Sequence, residues 1–144
     1  MHLKNNPLFH LAFPVDDLNS TKDFYTKILG CKIGRSSETW IDFNFFGHQI
    51  TTHLSVKRSD NNEVKNKVDG KNVPVRHFGL VMDWQDWHQM KDKLISYKIN
   101  FLIEPYLRFK GEIGEQATLF ISDPSLNVIE LKSFKNKETH IYPA

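Results

Sequence analysis

Two stretches of the 144-residue chain are laid out alike. "FHLAFPVDDLNSTKDFYTKILGCKI" begins at Phe9, and "RHFGLVMDWQDWHQMKDKLISYKIN" begins at Arg76. Each opens with a strand-like run carrying one histidine, passes through acidic or turn residues, and continues as an amphipathic helix. In the first helix Leu18, Phe24, Tyr25, Ile28 and Leu29 recur at helical spacing, and Gly30 supplies a stop. In the second, Trp84, Trp87, Met90, Leu94 and Ile95 do the same, with Asp83 as the expected N-cap. Three strand candidates follow each helix. They are "CKIGRSS", "TWIDFNFF" and "HQITTHLSV" in the first half, with Gly47-His48 turning between the last two. In the second half they are "INFLIEPYLRF", "QATLFISD" and "NVIELKSF". Both halves read βαβββ. A repeat of this kind restricts the fold more than any single periodicity does. It predicts an α+β fold in which paired βαβββ modules form a curved mixed sheet around a cavity.

A chain of this length suits one domain with a real core. Module one is expected over about 7–56 and module two over about 74–134, with a C-terminal tail over 135–144. Between the modules lies "KRSDNNEVKNKVDGKNV", residues 57–73, polar and of mixed charge with an Asp69-Gly70 turn signal; it reads as a solvated linker. The formal charge of +2 is too mild to imply nucleic acid or a membrane surface as partner. One cysteine, Cys31, excludes an internal disulfide framework and any multi-cysteine metal site, and suits a cytoplasmic location. No run of apolar residues resembles a signal peptide or a membrane span.

His77 sits in an apolar run with Val75, Phe78, Leu80, Val81 and Met82. A buried imidazole without a partner costs about 1–3 kcal/mol, so a carbonyl, a carboxylate or a metal is expected beside it. Strand alternation puts His10 with Ala12 and Pro14, His77 with Gly79 and Val81, and Glu130 with Val128 and Lys132. The bulky apolar residues of those strands take the opposite, helix-facing side. Aligning "ITTHLS" with "NVIELK" sets His53 on Glu130. His10 and His77 therefore open the two halves as potential ligands, and His53 and Glu130 close them.

These residues resemble the vicinal oxygen chelate superfamily, which includes glyoxalase I, extradiol ring-cleaving dioxygenases, fosfomycin-resistance transferases and bleomycin-binding proteins. The resemblance runs from about Leu8 to Phe134, carried by "FHLAFPVDDLNSTKDFYTKILGCKIG", "RHFGLVM" and "FISDPSLNVIELKSF". The superfamily's usual metal ligands are a first-strand residue, a fifth-strand histidine and an eighth-strand glutamate, matched here by His10, His77 and Glu130. His53 matches a fourth-strand position that is sometimes a further ligand. The tail motif normally carries glycine where Leu126 stands.

The resemblance implies a divalent metal ion, with Fe(II) favoured and Mn, Zn or Ni as alternatives. Two histidines and one carboxylate can occupy one face of an octahedral ion and leave positions open for substrate and dioxygen. The expected function is that of a metal-dependent enzyme resembling small extradiol-type dioxygenases, an oxidoreductase chelating vicinal oxygens of a small molecule. The alternatives are a glyoxalase-like isomerase or lyase or a thiol transferase, and a non-catalytic drug-binding protein of the bleomycin-resistance type. His53 is assigned to acid–base catalysis, its imidazole type suiting neutral pH. Tyr106, Arg108, Phe109, Lys110 and Gln116 surround a long loop and are the candidate substrate contacts, with Arg108 or Lys110 for an acidic group and Tyr106 or Phe109 beside a ring. The family's habit of pairing modules within or across chains makes a homodimer the expected assembly. His48 is placed in a turn and His88 among helix aromatics, and Cys31 is expected to pack at a strand start.

Overall fold

The computed structural model describes residues 6–55 and 64–141. The chain divides into two compact units, Met1–Asn61 and Asn62–Ala144.

The first unit contains β1 (His10–Val15), α1 (Leu18–Asp23) continuing into a π-helical turn (Phe24–Ile28), β2 (Lys32–Ser36), β3 (Trp40–Phe45) and β4 (His48–Leu54). Asp17 caps α1, its carboxylate accepting from the Ser20 N–H at 2.6 Å. That hydrogen bond holds the Asp17 carboxyl below its ordinary value. Gly30 ends the helical segment at φ 86°, the left-handed conformation that a glycine stop supplies. The strands order β1-β4-β3-β2, with β1 parallel to β4 and the other pairs antiparallel. Ile41, Phe43, Phe45 and Ile50 are buried with Val15, Tyr25 and Leu29, and the Tyr25 and Phe43 rings lie 5.0 Å apart. Alternation along β3 thus sends its apolar residues to the core, as the sequence implies, and Cys31 is buried at the strand start. The turn before β4 differs from the expected one. Phe46 and Gly47 form it at φ 51° and 93°, and His48 already belongs to the strand, where its Nδ1 accepts from the Phe9 N–H at 3.2 Å.

The second unit repeats the pattern. Its strands are β7 (Phe78–Met82), β8 (Phe101–Arg108), β9 (Gln116–Ser122) and β10 (Val128–Phe134), with α2 (Trp84–Ser96) between β7 and β8 in the chain, and a short α3 (Lys137–His140) ends the described chain. The order is β7-β10-β9-β8, again with the first pair parallel. Trp87 and Leu94 of α2 are buried with Leu119, Ile121, Ile129 and Leu131, and the Trp87 Nε1–H donates to the Leu131 carbonyl at 2.8 Å. That bond satisfies a buried indole donor and ties helix to sheet. His88 packs edge-on to Trp84 and Trp87, with ring centroids 5.1 and 5.0 Å away.

Three readings of this unit change in part. Asp83 is the N-cap residue of α2, as its sequence position implies, but its side chain makes no cap hydrogen bond and its carboxylate meets Lys137 at 3.4 Å. Ile95 is exposed, because its position falls off the stripe made by Trp87 and Leu94. The third concerns the polar stretch 57–73. Residues 56–63 lie outside the described residues, but β5 (Lys65–Val68) and β6 (Lys71–Pro74) form an antiparallel hairpin. Asp69 and Gly70 make its turn at φ 51° and 74°, the two-residue geometry that matches strand twist. This hairpin is no free linker: Val73 packs against Ile103, Phe120 and Val128. Leu126, where glycine is usual in the superfamily, adopts φ 67°. Asp123 sustains that turn by accepting from the Ser125 and Asn127 N–H groups at 2.9 and 2.8 Å.

Candidate metal centre

The residue preceding β7, His77, has its side chain 26% exposed, so it is less buried than its apolar neighbours suggest. Its Nδ1 lies 2.7 Å from the Pro74 carbonyl oxygen. A carbonyl only accepts, so Nδ1 donates to it, and Nε2 turns toward Glu130. Phe120 packs edge-on against the same ring at 5.1 Å. The His77 Nε2 and Glu130 Oε2 atoms are 3.2 Å apart. Glu130 is held from its other oxygen, where the Thr118 hydroxyl donates to Oε1 at 2.8 Å. Lys132 Nζ lies 3.6 Å from Oε2. A nitrogen and a carboxylate oxygen facing each other at this range share a proton or another cation; a proton on Nε2 or a bound metal ion would each serve.

Close approach of β7 to β10 makes this pair. Gly79 stands opposite Glu130 in register, and a Cβ there would overlap the Glu130 carbonyl oxygen. A hollow of about 220 Å³ opens at this edge, lined by His77, Gly79, Val81, Glu130 and Lys132 among others.

In the first unit the parallel register sets His10 beside Gln49, Ala12 beside Thr51, and Pro14 beside His53. His10 and His53 are therefore four residues apart along the strand pair, about 13 Å at strand spacing. Matching His10 to His77 carries the Gly79–Glu130 pair onto Ala12–Thr51. The repeat counterpart of Glu130 is thus Thr51 rather than His53, which stands exposed between Pro14 and Trp40. Thr51 is buried, and its hydroxyl donates to Asp42 Oδ1 at 2.6 Å. Gln49 Nε2 reaches Asp42 Oδ2 at 3.4 Å, and Arg35 Nε lies 3.5 Å from it. Asp42 was legible only as one member of a mixed strand face.

Of the loop residues, Tyr106, Arg108 and Gln116 share the Glu130 face of the second sheet, since Tyr106 pairs with Thr118 and Arg108 with Gln116. Phe109 turns away from the strand at φ 52°, with the Arg108 guanidinium 5.1 Å from its ring, and Lys110 is exposed beyond it. Glu115, unassigned from sequence, is buried. Lys135 Nζ at 2.9 Å and the Gly111 N–H at 3.1 Å bind its Oε2 and hold its carboxyl below the ordinary value. Among the described residues no group of three or more His, Cys, Asp or Glu side chains gathers at one point.

The family model Glyoxalase/Bleomycin resistance protein/Dioxygenase superfamily matches residues 8–131. The chain belongs to this superfamily. A glyoxalase/bleomycin resistance protein/dioxygenase from Alicyclobacillus acidocaldarius is 32% identical over 97% of this chain and 100% of its own, with a TM-score of 0.75. Two more distant structures share the fold of this superfamily member. A fosfomycin resistance protein from Listeria monocytogenes is 15% identical over 95% of this chain and 99% of its own, with a TM-score of 0.66. A lactoylglutathione lyase from Agrobacterium tumefaciens is 12% identical over 91% and 96%, with a TM-score of 0.61. Among curated proteins none matches. The superfamily includes metal-dependent enzymes that bind small molecules. No helix among the described residues is long and apolar enough to cross a membrane.

Proposed function

We propose that this superfamily member is a metal-dependent enzyme acting on a small molecule with vicinal oxygens, most like a small extradiol-type dioxygenase. In this reading His77 and Glu130 hold a divalent ion together with His10, the first-strand ligand position. Fe(II) is favoured, with Mn, Zn or Ni as alternatives. The observation that carries the reading is the 3.2 Å separation of His77 Nε2 and Glu130 Oε2, with Nδ1 anchored on the Pro74 carbonyl. Two donors each about 2.1 Å from one ion and near a right angle apart are about 3 Å from each other. The Pro74 carbonyl orients the imidazole, and the Thr118 hydroxyl orients the carboxylate, the supporting contacts that metal ligands need.

A bound divalent ion would supply Lewis-acid polarisation of two adjacent substrate oxygens. His77 and Glu130 contribute one neutral and one anionic donor. Thr51 at the repeat counterpart of Glu130, engaged by Asp42, argues against a fourth ligand at that position. That leaves His53 for proton transfer rather than coordination, and favours the dioxygenase reading over a glyoxalase-like isomerase.

The test is metal analysis of protein purified without chelators, followed by dioxygen uptake with catechol-type diols. Stoichiometric metal with ring-cleaving uptake is expected. Metal without uptake would move the assignment to an isomerase or transferase. Protein that takes up no divalent ion on reconstitution would leave the drug-binding alternative. A homodimer is part of the proposal; light scattering that reports a monomer at micromolar concentration would remove it.

A further inference from the structure

The β5–β6 hairpin puts a carboxylate where a ligand's carboxylate would bind. Arg108 reaches the Asp69 carboxylate with two nitrogens: Nε pairs with Oδ2, and Nη2 donates to Oδ1 at 3.4 Å. The Tyr106 hydroxyl donates to Oδ2 at 3.2 Å. Burial and the Asp69 charge push the Tyr106 phenol above its ordinary value, which keeps it a donor. A forked guanidinium with one hydroxyl beside it is a donor set shaped for a planar carboxylate. Both residues share the sheet face of Glu130, with Tyr106 two strands across from β10 and in line with Lys132.

We propose that Arg108 and Tyr106 form a carboxylate subsite which Asp69 occupies in the resting protein, and that an acidic substrate displaces Asp69 together with the hairpin. This names the substrate class for the metal-centred reading, on which it rests only for the other end of the molecule. By strand spacing Tyr106 and Glu130 are on the order of 12 Å apart at Cα. The substrate is therefore a small acid, its carboxylate separated from the chelating oxygens by about one ring and a short side chain.

The hairpin is built to leave. Its two strands have four residues each, and a two-stranded ribbon is marginal without other support. Its support comes from the Asp69 contacts, Val73 in the Ile103–Phe120–Val128 cluster, and Lys71 over the Tyr106 ring at 4.6 Å. Asp69 keeps 40% of its side-chain exposure, so an incoming anion can compete for Arg108 through solvent. Its departure would uncover Phe120 and Val128 on the face that carries Glu130.

The experiment uses metal-free full-length protein, so a failure of the metal reading leaves it unaffected. The probe is 3-phenylpropionate, and the neutral control is its carboxamide. Asn suits the positive φ at position 69 as Asp does, so Asp69→Asn removes the charge and keeps the turn. The probe is expected to bind Asp69→Asn at least about tenfold more tightly than wild type, because the internal competitor is weakened. Adding Arg108→Gln to that variant should abolish the gain, and the carboxamide should bind none of the three. In wild type, saturating probe should speed amide exchange at Asn66, Val68, Lys71 and Val73, the hydrogen-bonded positions of the hairpin. Equal affinity in wild type and Asp69→Asn, unchanged hairpin exchange, or no binding to either protein would each overturn the proposal.

Discussion

Gly79 lies directly opposite Glu130 in the parallel pairing of β7 with β10, and the Glu130 carbonyl occupies the space a side chain at position 79 would need. The absence of one methyl group therefore sets how closely His77, two residues earlier, approaches the Glu130 carboxylate. Gly79→Ala should push the edge strand away at a cost of about 1–3 kcal/mol, as overpacking does. Chemical denaturation should report that loss, and bound divalent metal should fall with it. A variant of full stability and metal content would show that the approach is not needed.

Thr118 touches the proposed metal site only through Glu130. Removing its hydroxyl with Thr118→Val frees Oε1 of the carboxylate. Metal affinity should drop about 10–100-fold, the usual effect of losing a supporting hydrogen bond. Glu130→Gln should lose nearly all the metal while circular dichroism stays unchanged. If Glu130→Gln retains its metal, Glu130 is not a ligand.

His53→Ala should lower turnover by about 10²–10⁴-fold and leave metal content intact, as expected for a proton-transfer group. Its imidazole on the strand face that His10 also shares is the basis. Loss of metal in this variant would make His53 a ligand and favour the isomerase or transferase reading.

Glu115 predicts an acid response. Lys135 and the Gly111 N–H bind its charged form, so its carboxyl takes up a proton less readily in the folded chain than in the unfolded one. Its contribution is present above the ordinary value of about 4.5 and is lost as pH falls through the lower folded value. Wild type should therefore lose stability below pH 4.5 more steeply than Glu115→Gln. Matching pH profiles from thermal unfolding would remove Glu115 as a source of that slope.

The two βαβββ modules were legible because local signals agree with them. Alternation marks β3, helical spacing marks Trp87 and Leu94, and Gly30 and Asp69-Gly70 mark a stop and a turn at the expected places. His77 and Glu130 were legible as partners because both the repeat and the superfamily pattern point to them, and they do meet. Tertiary structure alone decided three other matters. Parallel pairing of β1 with β4 joins residues some forty positions apart, and nothing local records its register; a shift of two residues exchanges His53 for Thr51 beside Ala12. Asp83 takes the N-cap position its sequence implies, but its carboxylate makes no cap hydrogen bond and lies 3.4 Å from Lys137, distant in sequence. Residues 65–74 are polar enough to read as linker, and they fold because Val73 and Asp69 find partners on β8, β9 and β10 that are distant in sequence. Periodicity reports which way a side chain faces relative to its own backbone. Which side chain it meets depends on strand pairing, and that is settled by long-range packing.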